Sequence, residues 1–220
     1  MQARLRRFVT LAMLAACILA VVFVVIIDRE TEDEGSPTVV AAIEKQYGDG
    51  YVDYLIREKL VSGGEVVFSI GDLESEQPLI EANYVKKNAN GWVWGYGGGF
   101  GASNIRPGLT DEEARETAPY FEYFPDTEGS QFGNSPFPMI YGIVTNPEIT
   151  RITAKDASGL EKQAEKIEVE RNFSLFYVFV DKEQGPLFDV IGYDADGKVL
   201  HQEKLDRTQM FDAETGQSAR

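Results

Sequence analysis

The stretch from Phe8 to Ile27 contains no charged residue, and it constrains this chain more than any other feature. It is about 20 residues long, or about 30 Å as a helix, which matches the hydrocarbon core of a bilayer. A helix satisfies its own backbone hydrogen bonds, so such a segment can span lipid alone. Arg4, Arg6 and Arg7 precede it with no acid among them. Asp28-Arg29-Glu30 ends it, and Glu32, Asp33 and Glu34 follow. Basic flanks stay on the cytoplasmic side. The expectation is a cytoplasmic stub and transmembrane anchor over 1–27 and an acidic spacer over 28–35. The rest of a single-pass chain then lies outside the cell membrane.

Two other readings of this stretch compete. A cleaved secretory signal has the same basic start, but the apolar run is long for one and no small-x-small site precedes Asp28. In the second, Leu14-Ala15-Ala16-Cys17 matches the lipobox of bacterial lipoproteins, in which cleavage leaves the cysteine as a lipidated N-terminus. Cys17 is then the attachment point, although Ile18 to Ile27 stays apolar where lipoproteins turn polar. Arg6-Arg7 hints at a twin-arginine signal, and a plain cytoplasmic flank explains it better. Every one of these readings places the C-terminal part outside.

The first 27 residues hold three of the 21 basic residues and none of the 36 acids, so the remainder carries a formal charge of −18. Such a surface repels nucleic acid and anionic headgroups, and no nucleic-acid partner is expected. Cys17 is the only cysteine, so the outer part has no disulfide to rely on. With 13 Phe, 10 Tyr and 2 Trp, aromatic burial can supply a core instead. The single histidine, His201, excludes a multi-histidine metal site. Neither a metal nor a cofactor is expected.

The outer chain reads as α+β. Ser36-Pro37 suits a helix start, Val39, Val40 and Ile43 give a short apolar face, and Gly48-Asp49-Gly50 stops it. Extended segments follow at 51–60, 65–70, 78–87 and from Trp92, with turns at Ser62-Gly63-Gly64 and Asn88-Ala89-Asn90-Gly91. A helix followed by an antiparallel β-meander is the expected unit over 36–126. Gly95 to Ser103 interrupts the pattern, Thr110 caps a polar helical turn at 111–116, and 120–124 alternates as a strand. Residues 127–138 form a Gly/Ser/Asn/Pro-rich joint. Segments at 139–145, 149–155, 163–170, 173–180, 187–193 and 198–204 are short strands separated by turns. Their spacing predicts a small immunoglobulin-like β-sandwich over 139–205, with a polar tail over 206–220.

The run Gly95-Tyr96-Gly97-Gly98-Gly99-Phe100-Gly101 follows a strand, as a phosphate loop would. Asn104-Ile105-Arg106-Pro107 comes next, with neither a helix signal nor Lys-Ser/Thr, so a loop or a bulged strand end is expected. Trp92, Trp94, Tyr96 and Phe100 beside that backbone are the candidate binding residues. Asp194-Ala195-Asp196-Gly197 resembles half of a calcium loop, but the first acid position in that register is Gly192, and a hairpin turn fits better. Glu122 and Asp126 flank aromatics without marking an acid/base pair, and no catalytic motif is present, so no catalytic residue is assigned.

Three stretches resemble a group of small uncharacterised envelope proteins of Gram-positive bacteria. They are Gly91-Trp92-Val93-Trp94 into the glycine run, Tyr141 to Ile149, and Gln184-Gly185-Pro186 through Gly197-Lys198-Val199. The resemblance runs from about Ala42 to about Leu200. It implies a membrane-anchored or lipoprotein-like member of that group and transfers no functional residue. The expectation is a non-enzymatic module, tethered through residues 8–27, that binds an envelope protein or a small ligand. The alternatives are an envelope enzyme using paired carboxylates and an accessory partner of a membrane sensor.

Overall fold

The computed structural model describes residues 35–105, 109–169 and 172–208. Among these, no helix is long and apolar enough to cross a membrane. The segment Phe8–Ile27, Cys17 and the tail beyond Thr208 lie outside the described residues.

Helix α1 (Val39–Tyr47) starts on Thr38, whose Oγ1 accepts from Ala41 N at 3.1 Å. Ser36-Pro37, expected to cap it, has a different role. Ser36 exchanges two backbone hydrogen bonds with Trp92, at 2.7 and 2.8 Å, and so ties the chain's entry to the first sheet. The helix ends where Gly48 turns to φ 118°, a conformation that glycine adopts without a Cβ penalty. Val39, Ala42 and Ile43 are its buried positions, one stripe at helical spacing.

Among the described residues, twelve strands form three four-stranded sheets, and every pairing is antiparallel. Sheet one is the meander β1 (Tyr54–Val61), β2 (Gly64–Gly71), β3 (Leu79–Asn88) and β4 (Gly91–Gly101). After α2 (Asp111–Glu116), which a Thr110/Glu113 capping box opens, comes β5 (Tyr120–Phe124). The next strands are β6 (Met139–Val144), β7 (Arg151–Asp156), β8 (Glu161–Gln163), β9 (Glu165–Val169) and β10 (Phe173–Phe179). The last are β11 (Leu187–Tyr193) and β12 (Val199–Asp206). Sheet two runs in the order β5-β6-β10-β9 and sheet three in the order β12-β11-β7-β8.

Sheet two is the middle layer. Met139, Tyr141, Ile143, Leu175 and Tyr177 face sheet one, where Phe68 stacks on Tyr177 at 4.8 Å between centroids. Ile140, Val144, Phe176 and Val178 face sheet three and meet Ile152, Phe188, Val190 and Leu205. Because both faces are covered, β6 and β10 are continuous apolar runs rather than alternating ones. Helix α1 covers the far face of sheet one through Val67 and Val85. The stack is therefore helix, sheet, sheet, sheet, a mostly antiparallel β protein with sandwich-like packing and few helices.

The structure differs from the sequence reading at three joins. Residues 127–138 connect two neighbouring strands, because β5 pairs with β6 from Tyr120↔Ile143 to Phe124↔Met139. The expected single strand at 163–170 breaks at Ala164, which separates β8 in sheet three from β9 in sheet two. Of the two conformations expected for the glycine run, loop or bulged strand end, it takes the strand, and β4 continues through it to Gly101.

Candidate functional site

The four residues singled out in β4 do not share a face. Pairing passes from Tyr84↔Tyr96 directly to Val85↔Trp94, so Gly95 is an extra residue in β4 with no partner in β3. A one-residue bulge inverts the side-chain alternation beyond it. Trp92 and Trp94 therefore point to the α1 side with Val85, while Tyr96 and Phe100 point into the core between sheets one and two. There Tyr96 packs on Phe124 and Phe137 at 5.5 and 5.6 Å, and Phe100 on Tyr141 at 5.6 Å. Trp92 and Trp94 remain as surface candidates.

On the α1 side the tryptophans have neighbours that the sequence reading did not mark. Tyr47, at the end of α1, stacks on Tyr51 at 4.5 Å and meets Trp94 edge-on at 5.7 Å. Lys87 Nζ lies 5.1 Å from the Trp92 ring, within cation–π range. A shallow cleft of about 170 Å³ opens between α1 and the start of β4, lined by Ser36, Ala42, Lys45, Gln46, Trp92 and Trp94.

Polar side chains lie beneath the aromatic cover. In β3, Ile80, Ala82 and Tyr84 face the core, and the intervening Glu81 and Asn83 face the helix side with Val85. Both are fully buried, as is Ser69, which pairs with Glu81 from β2. On the other side of β3, Glu81 is opposite Gly99 and Asn83 opposite Gly97. A Cβ on Gly97 would sit 2.2 Å from Asn83 Oδ1, and one on Gly99 would sit 2.9 Å from Glu81 Cγ. The glycines are required because these two side chains and the backbone carbonyls of Ile80 and Ala82, at 2.6 and 2.8 Å, fill the space a Cβ would need. The run is thus a floor for Glu81 and Asn83, and Lys86, which lies over Gly95, donates its Nζ to Phe132 O at 2.6 Å.

Trp94 Nε1 donates to Asn83 Oδ1 at 2.9 Å. Among the described residues, Asn83 Nδ2, Ser69 Oγ and both Glu81 carboxyl oxygens have no hydrogen-bond partner. Burial pushes the Glu81 carboxyl up to about 7. The Tyr51 and Ser69 hydroxyls beside it favour its charged form without reversing that, and neither closes a well-formed hydrogen bond. In turn, burial first and Glu81 second raise the Tyr47 and Tyr51 phenols above their ordinary value. A buried acid that titrates near neutrality beneath three aromatic rings can exchange a proton and respond to charge near the cover.

The other sequence candidates are dispersed. Glu122 pairs with Arg207 at 2.7 Å and Asp126 with Lys182 at 2.6 Å, so the two do not converge as an acid/base pair. Asp194 Oδ1 accepts from the backbone of Asp196 and Lys198, which makes the segment a hairpin turn. His201 Nε2 is 3.5 Å from Glu203 in sheet three. Among the described residues, no group of three or more His, Cys, Asp or Glu side chains could hold a metal ion. Two larger clefts, of about 600 and 530 Å³, include the Arg207–Glu122 and Lys166–Glu168 ion pairs in their lining respectively.

Fold and site together define a class: a layered antiparallel β protein whose first sheet carries a helix-flanked aromatic face over a buried acid. No family model, curated protein or solved structure matches the chain.

Proposed function

We propose that this chain is a membrane-tethered extracytoplasmic binding module without catalytic activity, and that it engages an envelope protein or small ligand through the aromatic face of sheet one. One observation carries the reading. Both tryptophans of the chain line one cleft, half-exposed, and Tyr47, stacked on Tyr51, meets Trp94 edge-on beside it. Aromatic rings with a polar edge are the side chains that most often anchor a partner.

The charge-free run Phe8–Ile27 behind three arginines supports a single-pass tether in the cell membrane, with lipidation of Cys17 as the other mode of attachment. The chain enters the domain at Ser36, which is bonded to Trp92. At no more than about 3.5 Å per residue, the spacer 28–35 keeps that point within about 28 Å of the membrane surface. The cleft then faces molecules held close to the outer leaflet. The orders β5-β6-β10-β9 and β12-β11-β7-β8 correspond to the A-B-E-D and G-F-C-C′ orders of an immunoglobulin-like sandwich, which supports reading sheets two and three as one.

The decisive experiment is crosslinking and capture in intact cells with the full chain and its W92A/W94A variant. Capture of one partner by the wild type and its loss in the variant is the expected result. Equal capture by both, or hydrolysis of cell-wall polymer by the purified chain, overturns the reading. Attachment is tested separately. In a Cys17→Ala background, a cysteine at Leu60, which is 77% exposed, should react with an impermeant maleimide on whole cells. Protection until lysis excludes the outward topology.

A further inference from the structure

Glu81 is fully buried, and neither carboxyl oxygen has a hydrogen-bond partner among the described residues. Among the described residues, the groups acting on it are hydroxyls, and no cation is among them. Tyr51 faces it from the α1–β1 connection, with Tyr47 behind, and Ser69 faces it from β2. β4 contributes Gly99, which has no side chain, and Tyr141 lies on the far side of the sheet. An isolated carboxylate is strongly disfavoured there relative to the neutral acid. Glu81 is not in the lining of the cleft at Trp92 and Trp94, so a ligand seated there does not touch it.

We propose that Glu81 is a proton-binding site whose occupancy sets the closure of the aromatic face. With the acid protonated, Tyr47, Tyr51 and Trp94 pack shut over sheet one. When it ionises, the proton leaves to solvent, the buried charge requires hydration, and the cover loosens to admit water. The chain has a segment suited to that movement. Tyr47 and Tyr51 flank Gly48-Asp49-Gly50, whose glycines have φ of 118° and 75°. A Cβ on either would meet nothing within 4 Å, so this loop can shift without repacking a core. The proton would thereby tune the binding face proposed above, and only its biological use rests on that reading.

The test uses the full chain in detergent micelles. Trp92 and Trp94 are the only tryptophans, so intrinsic fluorescence reports this face directly. Acrylamide quenching is followed from about pH 5 to about pH 9, a window in which unperturbed carboxylates stay ionised and only a histidine, the α-amino group, a thiol or a shifted group titrates. The wild type should show one single-proton transition near neutrality, with quenching severalfold higher on the alkaline side. Glu81→Gln should stay at the low-quenching level throughout, with folding checked by circular dichroism. If that variant does not fold, Tyr51→Phe decides: losing a hydroxyl that favours the charged form should move the midpoint up, and an unmoved midpoint overturns the proposal. His201→Gln should leave the transition in place. A flat wild-type curve, an unchanged transition in Glu81→Gln, or its loss in His201→Gln overturns the proposal. No partner is present in this assay, so its outcome is independent of the capture experiment.

Discussion

Gly97 stands opposite Asn83 in the β3–β4 pairing, and the Asn83 amide occupies the space that a side chain on Gly97 would need. Any Cβ there meets Asn83 Oδ1 at 2.2 Å, whereas one on neighbouring Gly98 meets only Phe124 Cζ at 3.9 Å. Gly97→Ala should therefore destabilise the domain by about 1–3 kcal/mol, as overpacking does. Gly98→Ala should cost well under half of that. Urea unfolding of the two variants side by side checks the pair, and equal costs would contradict the geometry.

Glu81 makes stability depend on pH with a definite sign. Its folded-state pKa, about 7, lies above the ordinary carboxyl value of 4.5. The folded chain therefore keeps a proton that the unfolded chain gives up, and stability falls as pH rises through that interval. A one-proton difference gives a slope of about 1.4 kcal/mol per pH unit, on the order of 3 kcal/mol in all. Glu81→Gln should remove this component of the slope. Unfolding midpoints collected from pH 4.5 to above 7 provide the measurement.

Trp94 and Asn83 form a coupled pair through the 2.9 Å bond from the indole nitrogen. Trp94→Phe leaves a buried amide without that donor, at a cost of about 1–3 kcal/mol. Adding Asn83→Val removes the stranded amide, so the double variant should be less destabilised than the two single costs combined. A double-mutant cycle reads the coupling, and strict additivity would show that the bond contributes nothing.

Sheet two is shared by two cores, with Phe68 in one and Phe188 in the other. Truncating either phenylalanine to alanine should cost about 3–5 kcal/mol. Because the middle layer belongs to both, each variant should lower a single unfolding midpoint seen equally by tryptophan fluorescence and by far-ultraviolet dichroism. Separate midpoints for the two probes would mean that the layers unfold independently.

Local signals in the sequence located most of the strands, because turns carry their own chemistry. Gly63, Gly91 and Gly197 take positive φ between paired strands, as their turn dipeptides suggested. The Thr110 cap and the long apolar run from Phe173 were equally readable. What the sequence did not disclose was partnership at a distance. Nothing local to Tyr120–Phe124 says that it pairs with Met139–Val144 across a Pro-rich connection. Nor does anything near Ala164 say that the chain changes sheets there. The site was half legible for a related reason. Two tryptophans two residues apart advertise a face, but Glu81 looks like one acid among 36 until its strand partners, Ser69 and Gly99, are known. The available hint was an acid and an amide alternating through Ile80, Ala82 and Tyr84, opposite a strand with glycine at every second position.

The unpaired residue at Gly95 turns β4 into a ribbon with a half-twist in its middle, its leading half dressed for the exterior and its trailing half for the interior. Which half faces where is decided by counting residues, not by their chemistry. Deleting that one glycine would keep every aromatic in the strand and still present Tyr96 and Phe100 to the helix side, leaving holes between the sheets. Length at this position is therefore as much a part of the protein's specification as any side chain, and it is where a change in chain length would do most harm.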